Sequence, residues 1–187
     1  MILRSQKEQF LNQKSIVIWL TGLSGSGKTT ISENLSTALF KKGFLTQILD
    51  GDHIRNGLNN NLGFSEEDRT ENIRRIAEIS KLFVNSGIIC INSFISPTEK
   101  IRSLAKEIIG EKDYFEIYLD APLEVCEKRD VKGLYKAARE GKIKNFTGVG
   151  SEYETPLKPN LILKTAEISI EKSIEKCLNQ ILPLIKL

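Results

Sequence analysis

The segment at residues 22–29, GLSGSGKT, constrains the fold of this chain more than any other feature. It matches the phosphate-binding pattern G-x-x-x-x-G-K-[ST] at every position. The apolar run SIVIWLT at residues 15–21 precedes it, as expected of a strand buried on both faces of a parallel sheet. A helix-competent stretch at residues 29–42 follows, with Gly43 as its stop signal. A strand, a glycine-rich loop and a helix in this order predict a P-loop and disfavour a chance glycine-rich turn.

The rest of the chain alternates apolar runs with stretches of helical spacing. We predict further strands at residues 45–49, 88–91, 115–119 and 161–163, and helices at residues 66–85, 97–109, 122–129 and 168–184. Strands that alternate with helices favour right-handed crossovers and a parallel sheet. We therefore expect a single α/β domain over residues 1–187, a P-loop NTPase fold whose mostly parallel, doubly wound sheet has about five strands and helices on both faces.

Two segments lie outside this alternation. Residues 1–14 are polar with scattered apolar positions, and we expect an N-terminal arm there, either a short helix or a loose segment. Residues 131–156 carry many Lys and Gly residues without a clear period. We expect this stretch to be a mobile lid, whose cations meet a polyanionic complex and whose closure excludes water. An ordinary solvated loop is the alternative.

Each part of the P-loop has a predicted task in binding ATP. The glycines let the backbone turn tightly, so that successive N–H groups point at phosphate oxygens. Lys28 supplies a cation for the β- and γ-phosphates, and Thr29 offers a hydroxyl to Mg²⁺. The start of the following helix adds the positive end of its dipole. The predicted ATP-binding residues of the loop are Gly22, Leu23, Ser24, Gly25, Ser26, Gly27, Lys28, Thr29 and Thr30.

A pair of carboxylates, Asp50 and Asp52, follows the second predicted strand. The carboxyl ends of parallel strands lie beside the P-loop, where such sheets bind ligands. One carboxylate could order water on Mg²⁺, and the other could take or align the proton of an acceptor hydroxyl. The alternative is a solvated turn with an Asx cap. Since no apolar strand ends in an obvious Walker B acid, we predict that Asp50 and Thr29 form the metal side of the site.

Composition excludes several other classes of function. The net charge of +3 falls short of the basicity of a general nucleic-acid binder. No stretch approaches the ~20 apolar residues of a membrane span, and the N-terminus lacks the apolar core of a signal peptide. Cys90, Cys126 and Cys177 are widely spaced in apolar stretches, which indicates core residues in a reducing compartment. We therefore expect a cytoplasmic protein with no nucleic-acid or membrane partner.

Six segments of the chain point to a particular family of P-loop kinases. In chain order they are GLSGSGKTT, LDGDHIRNGLNNNLGFSEEDRTENIRRIAE, FISP, LEVCEKRD, KGLYKAAREGKIKNFTG and YETP, spread from about residue 15 to residue 165. They resemble the adenylylsulfate kinases, which act on adenosine 5′-phosphosulfate (APS). The resemblance implies transfer of phosphate from ATP to the ribose 3′-hydroxyl of APS, giving 3′-phosphoadenylylsulfate for sulfate assimilation. It also implies functional coupling to ATP sulfurylase and a homodimer.

The resemblance further implies roles for individual residues. Arg55, Arg69 and Asn72 match positions that contact the phosphosulfate and ribose, while Phe64 and Phe146 match aromatic positions that sandwich the adenine of the acceptor. The alternative for the first set is a solvated helix face, and the alternative for the two phenylalanines is plain core packing. The donor adenine is expected beside Arg129. Further acceptor-binding positions implied by the resemblance are Asp52, Ile95, Lys132, Leu134 and Lys144. The family mostly has Asn where this chain has His53, to which we assign no catalytic role.

Ser96, within FISP, matches the phosphoserine position of the family and joins Lys28, Asp50 and Asp52 as a predicted catalytic residue. The sequence offers no neighbouring histidine that would activate Ser96 as a nucleophile. We therefore favour direct in-line transfer to the acceptor, with Ser96 and the backbone of Ile95 as acceptor-binding groups. Turn chemistry of a serine before proline is the alternative.

Two other classes of function are open to a P-loop protein. One is a kinase for a different small molecule, although such enzymes are not expected to combine DGD, LGFSEEDR and KNFTG. The other is a non-catalytic nucleotide switch, which would usually carry a guanine-specifying N-K-x-D segment after an apolar strand. Here the corresponding strand ends in LDAP. A binding-only domain is disfavoured by the intact set of Lys28, Thr29, Asp50 and Asp52.

Overall fold

The computed structural model describes residues 2–187 and contains one sheet of five parallel strands. The strands are β1 (Val17–Thr21), β2 (Thr46–Asp50), β3 (Ile89–Ser93), β4 (Tyr114–Asp120) and β5 (Leu161–Lys164). Their order across the sheet is β2-β3-β1-β4-β5. The central strand β1 is buried at all five positions, which explains its continuous apolar sequence. The predicted doubly wound sheet is confirmed.

Helices connect the strands and cover both faces of the sheet. They are α1 (Arg4–Leu11), α2 (Lys28–Phe40), α3 (Gly51–Asn56), α4 (Glu66–Asn85), α5 (Glu99–Ile109), α6 (Leu123–Arg129), α7 (Leu134–Arg139) and α8 (Ile170–Ile185), with a short 3-10 turn at Glu111–Asp113. The predicted helices all form, with ends that differ by a few residues. The sequence did not predict α3 or α7, and α7 lies within the segment expected to be a lid.

Side chains of β1 alternate between two apolar clusters, one on each face of the sheet. Ile18 and Leu20 pack with residues of α2 and α8, whereas Val17 and Trp19 pack with residues of α4 and α5. This alternation follows from the two-residue period of a strand. The sheet is therefore rigidly held from both sides, and its carboxyl edge provides a fixed base for the loops beyond it.

Polar side chains of α1 and of the turn after it fasten the N-terminal arm to the domain. The guanidinium of Arg4 donates to both carboxylate oxygens of Asp113 and to the backbone oxygen of Ser15. The buried amide of Gln13 bonds the backbone of Leu45 and of Gly87. These bonds make the arm a packed part of the structure. Within residues 2–187, no helix combines the length and apolar character that a membrane crossing requires.

Candidate active site

One cavity of about 780 Å³ lies at the carboxyl edge of the sheet and gathers nearly all of the predicted site residues. Its lining includes Ser24, Gly25, Ser26, Gly27, Lys28, Thr29, Thr30, Asp50, Asp52, Arg55, Phe64, Arg69, Asn72, Ile95, Ser96, Arg129, Lys132, Leu134 and Phe146. Gly22, Leu23 and Lys144 lie outside this lining, and Lys144 is exposed. His53 is exposed on α3 and is not part of the lining either.

The P-loop requires glycine at two positions for steric reasons. A Cβ on Gly22 would lie 2.8 Å from the backbone oxygen of Leu119, and one on Gly25 would lie 2.8 Å from that of Cys126. Both glycines also have positive φ angles, +150° and +76°. Gly27 precedes the first turn of α2, whose opening residues line the cavity. The loop therefore presents backbone N–H groups and a helix N-terminus to the cavity, as anion binding requires.

Lys28 is held by its own loop. Its Nζ donates to the backbone oxygens of Gly22 at 2.9 Å and of Leu23 at 2.8 Å. Burial lowers the pKa of Lys28 to about 8, although the nearby carboxylates of Asp50 and Asp52 act in the opposite direction. A polyanion in the cavity would raise this pKa again, because an opposite charge favours the protonated form.

The two carboxylate oxygens of Asp50 accept different hydrogen bonds. One oxygen accepts a 3.0 Å hydrogen bond from the backbone N–H of Asp52 and so caps α3. The other accepts a 3.0 Å hydrogen bond from the hydroxyl of Thr29. The Asx cap considered from sequence is therefore present, and it leaves the second oxygen facing the P-loop.

The residues around this pair fit Mg²⁺ and a phosphate chain. Hydroxyl and carboxylate oxygens are the ligands that Mg²⁺ prefers, and it commonly takes only one or two from the protein besides phosphate and water. Within residues 2–187 no group of three or more His, Cys, Asp or Glu side chains is placed to hold a metal. In addition, the hydroxyls of Ser26 and Ser93 line the cavity, are buried and have no hydrogen-bond partner. Both are available to a polar ligand.

Two arginines form a cationic wall on the other side of the cavity. The Arg55 guanidinium lies 4.3 Å above the ring centroid of Phe64, and Arg69 donates to the hydroxyl of Thr147 at 2.8 Å. Burial lowers the pKa of both guanidinium groups. Asn72, one turn beyond Arg69 on α4, is buried and accepts a 2.9 Å bond from the Asn59 amide. Arg69 and Asn72 therefore share one face of the helix, as their spacing predicted.

The segment expected to be a lid packs over the P-loop. The hydroxyl of Tyr135, on α7, donates to the backbone oxygen of Ser24 at 2.9 Å, and its ring meets Phe146 edge-on at 5.0 Å. Lys132 forms an ion pair with Asp52 across the cavity. Half-buried Phe146 and Phe64, which is 63% exposed, both line the cavity. Residues 131–156 thus contact the P-loop through Tyr135 and the carboxylate of Asp52 through Lys132.

Arg129 connects the P-loop to the end of β5. Its guanidinium donates to the backbone oxygens of Gly25 at 3.1 Å and of Thr165 at 2.8 Å. The hydroxyl of Thr165 in turn donates to the backbone oxygen of Ser26 at 2.8 Å. Beyond this point Ile168 contributes an apolar surface to the lining. This end of the cavity can hold a flat base next to the phosphate loop.

Ser96 is buried, and its hydroxyl is engaged with the interior. Only 2% of the residue is exposed, and its φ angle is +39°. Its Oγ accepts a 3.1 Å bond from Trp19 Nε1 and donates a 3.0 Å bond to the Thr21 hydroxyl. Neither partner is a base. The residue nevertheless lines the cavity wall together with Ile95.

Sequence reasoning missed several residues of the cavity. Thr147 anchors Arg69, Asn59 orients Asn72, and Thr165 bridges to the P-loop. Thr147 and Asn59 lie inside segments that carry the family resemblance, which was the available signal. Thr165 lies in an ordinary polar connection before α8, where no local pattern distinguishes it.

Comparisons with known proteins agree with this geometry. The family model described as Adenylylsulphate kinase matches residues 14–164. An adenylyl-sulfate kinase of Bacteroides thetaiotaomicron is 56% identical over 186 residues, covering 100% of this chain and 92% of the relative. An adenylyl-sulfate kinase of Phocaeicola vulgatus is 56% identical over 185 residues, covering 99% of this chain and 91% of the relative.

A solved structure with a similar fold is that of the APS kinase from Mycobacterium tuberculosis in complex with AMPPNP and APS. The TM-score is 0.87 and the sequence identity 39%, over 90% of this chain and 98% of that one. The segments that carried the resemblance all fall within the range matched by the family model.

Proposed function

The chain belongs to the adenylylsulfate kinase family, and we propose that it transfers the γ-phosphoryl group of ATP to the ribose 3′-hydroxyl of APS. The observation that carries this proposal is one shared cavity, with the P-loop on one side and the Arg55–Arg69 wall on the other. Two anionic nucleotides can enter it from opposite ends. Their reacting groups then meet between Lys28 and Asp52.

The donor nucleotide occupies the end of the cavity built from the P-loop. Residues 22–30 surround its phosphates with backbone N–H groups, and Arg129 lies beside its base. Thr29 and Asp50 are the residues that would hold Mg²⁺, which when bound neutralises charge on the phosphate oxygens. Support comes from the 3.0 Å bond that already joins these two side chains.

The acceptor occupies the end lined by α4 and the loop after β3. Arg55 and Arg69 present planar forks to its phosphosulfate, and buried Asn72 holds its ribose. Phe64 and Phe146 stack on its adenine, with Leu134, Ile95 and Ser96 completing the wall. Because both arginines are partly desolvated, as their lowered pKa values indicate, an anion between them gains more than it would at the open surface.

Transfer is direct and in line, and the protein supplies positioning and charge. Lys28 stabilises the negative charge that develops on the transferred group. Asp52 aligns the 3′-hydroxyl and takes up its proton, since Asp50 is already committed to Thr29 and to the cap of α3. Ser96 stays an acceptor-binding group because its hydroxyl bonds Trp19 and Thr21 and has no base beside it.

Closure of the lid over residues 131–156 completes the site. Lys132 forms an ion pair with Asp52, and its ammonium group can exchange this carboxylate for the anionic ligands when they bind. Lys144 moves toward the acceptor as the lid closes. The contact of Tyr135 with Ser24 ties the movement to the donor loop. Exclusion of water protects the γ-phosphoryl group from hydrolysis.

The proposal also includes the oligomeric state, the location and the source of the acceptor. A homodimer, a cytoplasmic location and functional coupling to an ATP sulfurylase that makes APS are part of the proposal. The three cysteines support the location, because all are buried free thiols that suit a reducing compartment. Light scattering of the purified protein tests the dimer.

The decisive experiment offers the purified protein ATP, Mg²⁺ and APS, and follows the product by phosphorus NMR. The expected product carries a new phosphate on the 3′-oxygen of APS. A parallel reaction with a nucleoside or a sugar as acceptor serves as the control. Turnover of the control acceptor with none of APS would refute the proposal.

A further inference from the structure

The loop at residues 94–97 forms one wall of the acceptor side, and it contains a strained residue. Ser96 has a φ angle of +39°, in the left-handed region that non-glycine residues rarely adopt. Such a conformation persists only where the surrounding contacts determine it. Residues behind the wall must therefore hold the backbone of Ile95 and Ser96 in place.

The directions of the hydrogen bonds behind Ser96 follow from what each group can donate. The indole of Trp19 has only a donor, so Ser96 Oγ accepts from it at 3.1 Å. The carbonyl of Ile95 can only accept, so the Thr21 hydroxyl donates its one hydrogen bond to this oxygen, at 2.7 Å.

This leaves Thr21 Oγ1 as the acceptor of two further bonds. One comes from the Ser96 hydroxyl at 3.0 Å and the other from the Tyr153 hydroxyl at 2.9 Å. Burial raises the pKa of Tyr153, so its phenol keeps the proton that it donates. Thr21 is then fully bonded, with one donated and two accepted hydrogen bonds.

A second support reaches Ser96 from α5. Arg102 is only 2% exposed, and its Nη1 donates to the Ser96 carbonyl at 2.9 Å. Its Nη2 donates to Glu99 at 2.9 Å, and the guanidinium lies 5.8 Å from the ring centroid of Tyr153. A buried cation thus holds the carbonyl of Ser96, while Thr21 holds the carbonyl of Ile95 and the Ser96 hydroxyl.

Tyr153 is itself held from two directions. Its ring stacks on Tyr118, with centroids 5.9 Å apart and planes inclined by 15°. The next residue, Glu154, accepts a 2.6 Å bond from the backbone N–H of Glu99 and donates its own N–H to Pro97 at 2.8 Å. The end of the lid segment is therefore locked onto the acceptor wall.

We propose that Arg102 and Tyr153 are positioning residues for the acceptor: without lining the cavity, they hold the backbone of Ile95 and Ser96 in the orientation that binds it. The inference rests on the proposed function, since APS is taken as the acceptor. It assigns both residues to the acceptor half of the reaction and not to the donor half, because the P-loop makes no contact in this network.

The test compares Tyr153→Phe and Arg102→Met with wild type, by calorimetric binding of APS and of ATP and by steady-state kinetics. Tyr153→Phe keeps the stacked ring and removes one hydrogen bond, so we expect the Kd and KM for APS to rise about fivefold. Arg102→Met should raise them further, about tenfold or more, and Arg102→Lys should restore part of the loss. The Kd and KM for ATP should stay within about twofold of wild type.

Matched controls separate positioning from folding. Tyr118→Phe removes the other phenol of the stacked pair, and Lys106→Met removes an exposed cation from the same helix as Arg102. Both should bind APS as wild type does. If Arg102→Met does not fold, the APS affinity of Tyr153→Phe alone tests the positioning role. Unchanged APS binding in Tyr153→Phe, or equal losses for ATP and APS with a lowered melting temperature, would overturn the inference.

The outcome for wild type keeps the two proposals apart. If wild type binds APS without phosphorylating it, the proposed reaction fails, while the APS affinities of the variants still test the positioning role. If wild type phosphorylates APS and the variants match it, the positioning role fails alone. If wild type does not bind APS, both fail.

Discussion

The hydroxyl of Thr29 donates a 3.0 Å hydrogen bond to the carboxylate of Asp50, and this bond joins the P-loop to the end of β2. The two residues are separated by 21 positions in the chain, yet the parallel sheet brings them to the same edge. Because the other Asp50 oxygen caps α3, the carboxylate has one orientation. The proposed metal side of the site is therefore preorganised by secondary structure.

Asp50→Asn distinguishes the capping of α3 by this side chain from its proposed role in binding Mg²⁺. Asparagine is as good an N-cap as aspartate, so the melting temperature should change little. The substitution removes the negative charge that would face Mg²⁺, so we expect kcat/KM to fall about 100-fold and the Mg²⁺ requirement to rise. A Mg²⁺ titration of the rate measures this, with Glu124→Gln as the control. Wild-type Mg²⁺ dependence in Asp50→Asn would exclude Asp50 from the metal side.

The ion pair between Lys132 and Asp52 predicts how the lid contributes. The pair is exposed and adds little to stability, so Lys132→Met should leave the melting temperature unchanged. It should reduce kcat about tenfold, because a cation is lost from the closed complex. Hydrogen exchange of residues 131–150 with and without nucleotides reports on closure, and Lys42→Met is the control. Full activity in Lys132→Met would place the residue outside the site.

Two glycines give a matched test of the P-loop geometry. Gly43 has a φ angle of +88° and open space where a Cβ would be, so Gly43→Ala should cost only the left-handed penalty, about 1 kcal/mol of unfolding free energy. In Gly25→Ala the Cβ also meets the Cys126 carbonyl at 2.8 Å, so the loss should exceed that of Gly43→Ala by about 2 kcal/mol. Urea unfolding measures both, and equal losses would contradict the steric argument.

The fold was largely predictable because β1 and β3 are centred on continuous apolar runs and the other strands contain shorter ones, with helical spacing between them. The helices α3 and α7 were not, since six residues are too few to show a period. Their ends depend on capping by side chains that precede them. Asp50 accepts from the N–H of Asp52, and Asp130 accepts from those of Tyr135 and Lys136. Such caps resemble ordinary loop residues in the sequence.

The candidate site, like the fold, was predictable from the sequence only where its residues are close together in the chain. The P-loop residues are contiguous, so the sequence alone predicts that they lie together, and residues 24–30 line the cavity. Arg69 and Thr147 meet across 78 positions, and Trp19 and Ser96 across 77. No local spacing encodes these contacts, and only the resemblance to a family indicated that both segments belong to one site. The contact of Lys132 with Asp52 is equally nonlocal.

The depressed pKa of Lys28 predicts that ATP binding takes up protons. Burial lowers this pKa from 10.5 to about 8, so about half of the free protein carries a neutral Lys28 at pH 8. Bound phosphates favour the charged form and raise the pKa, so binding at pH 8 should absorb up to about 0.5 proton per ATP, and almost none at pH 6.5. The affinity for ATP should accordingly fall as the pH rises above 8. Calorimetry in two buffers of different ionisation enthalpy measures the uptake. Lys28→Met should abolish it and Lys106→Met should not, whereas equal uptake in wild type and Lys28→Met would assign the proton to another group.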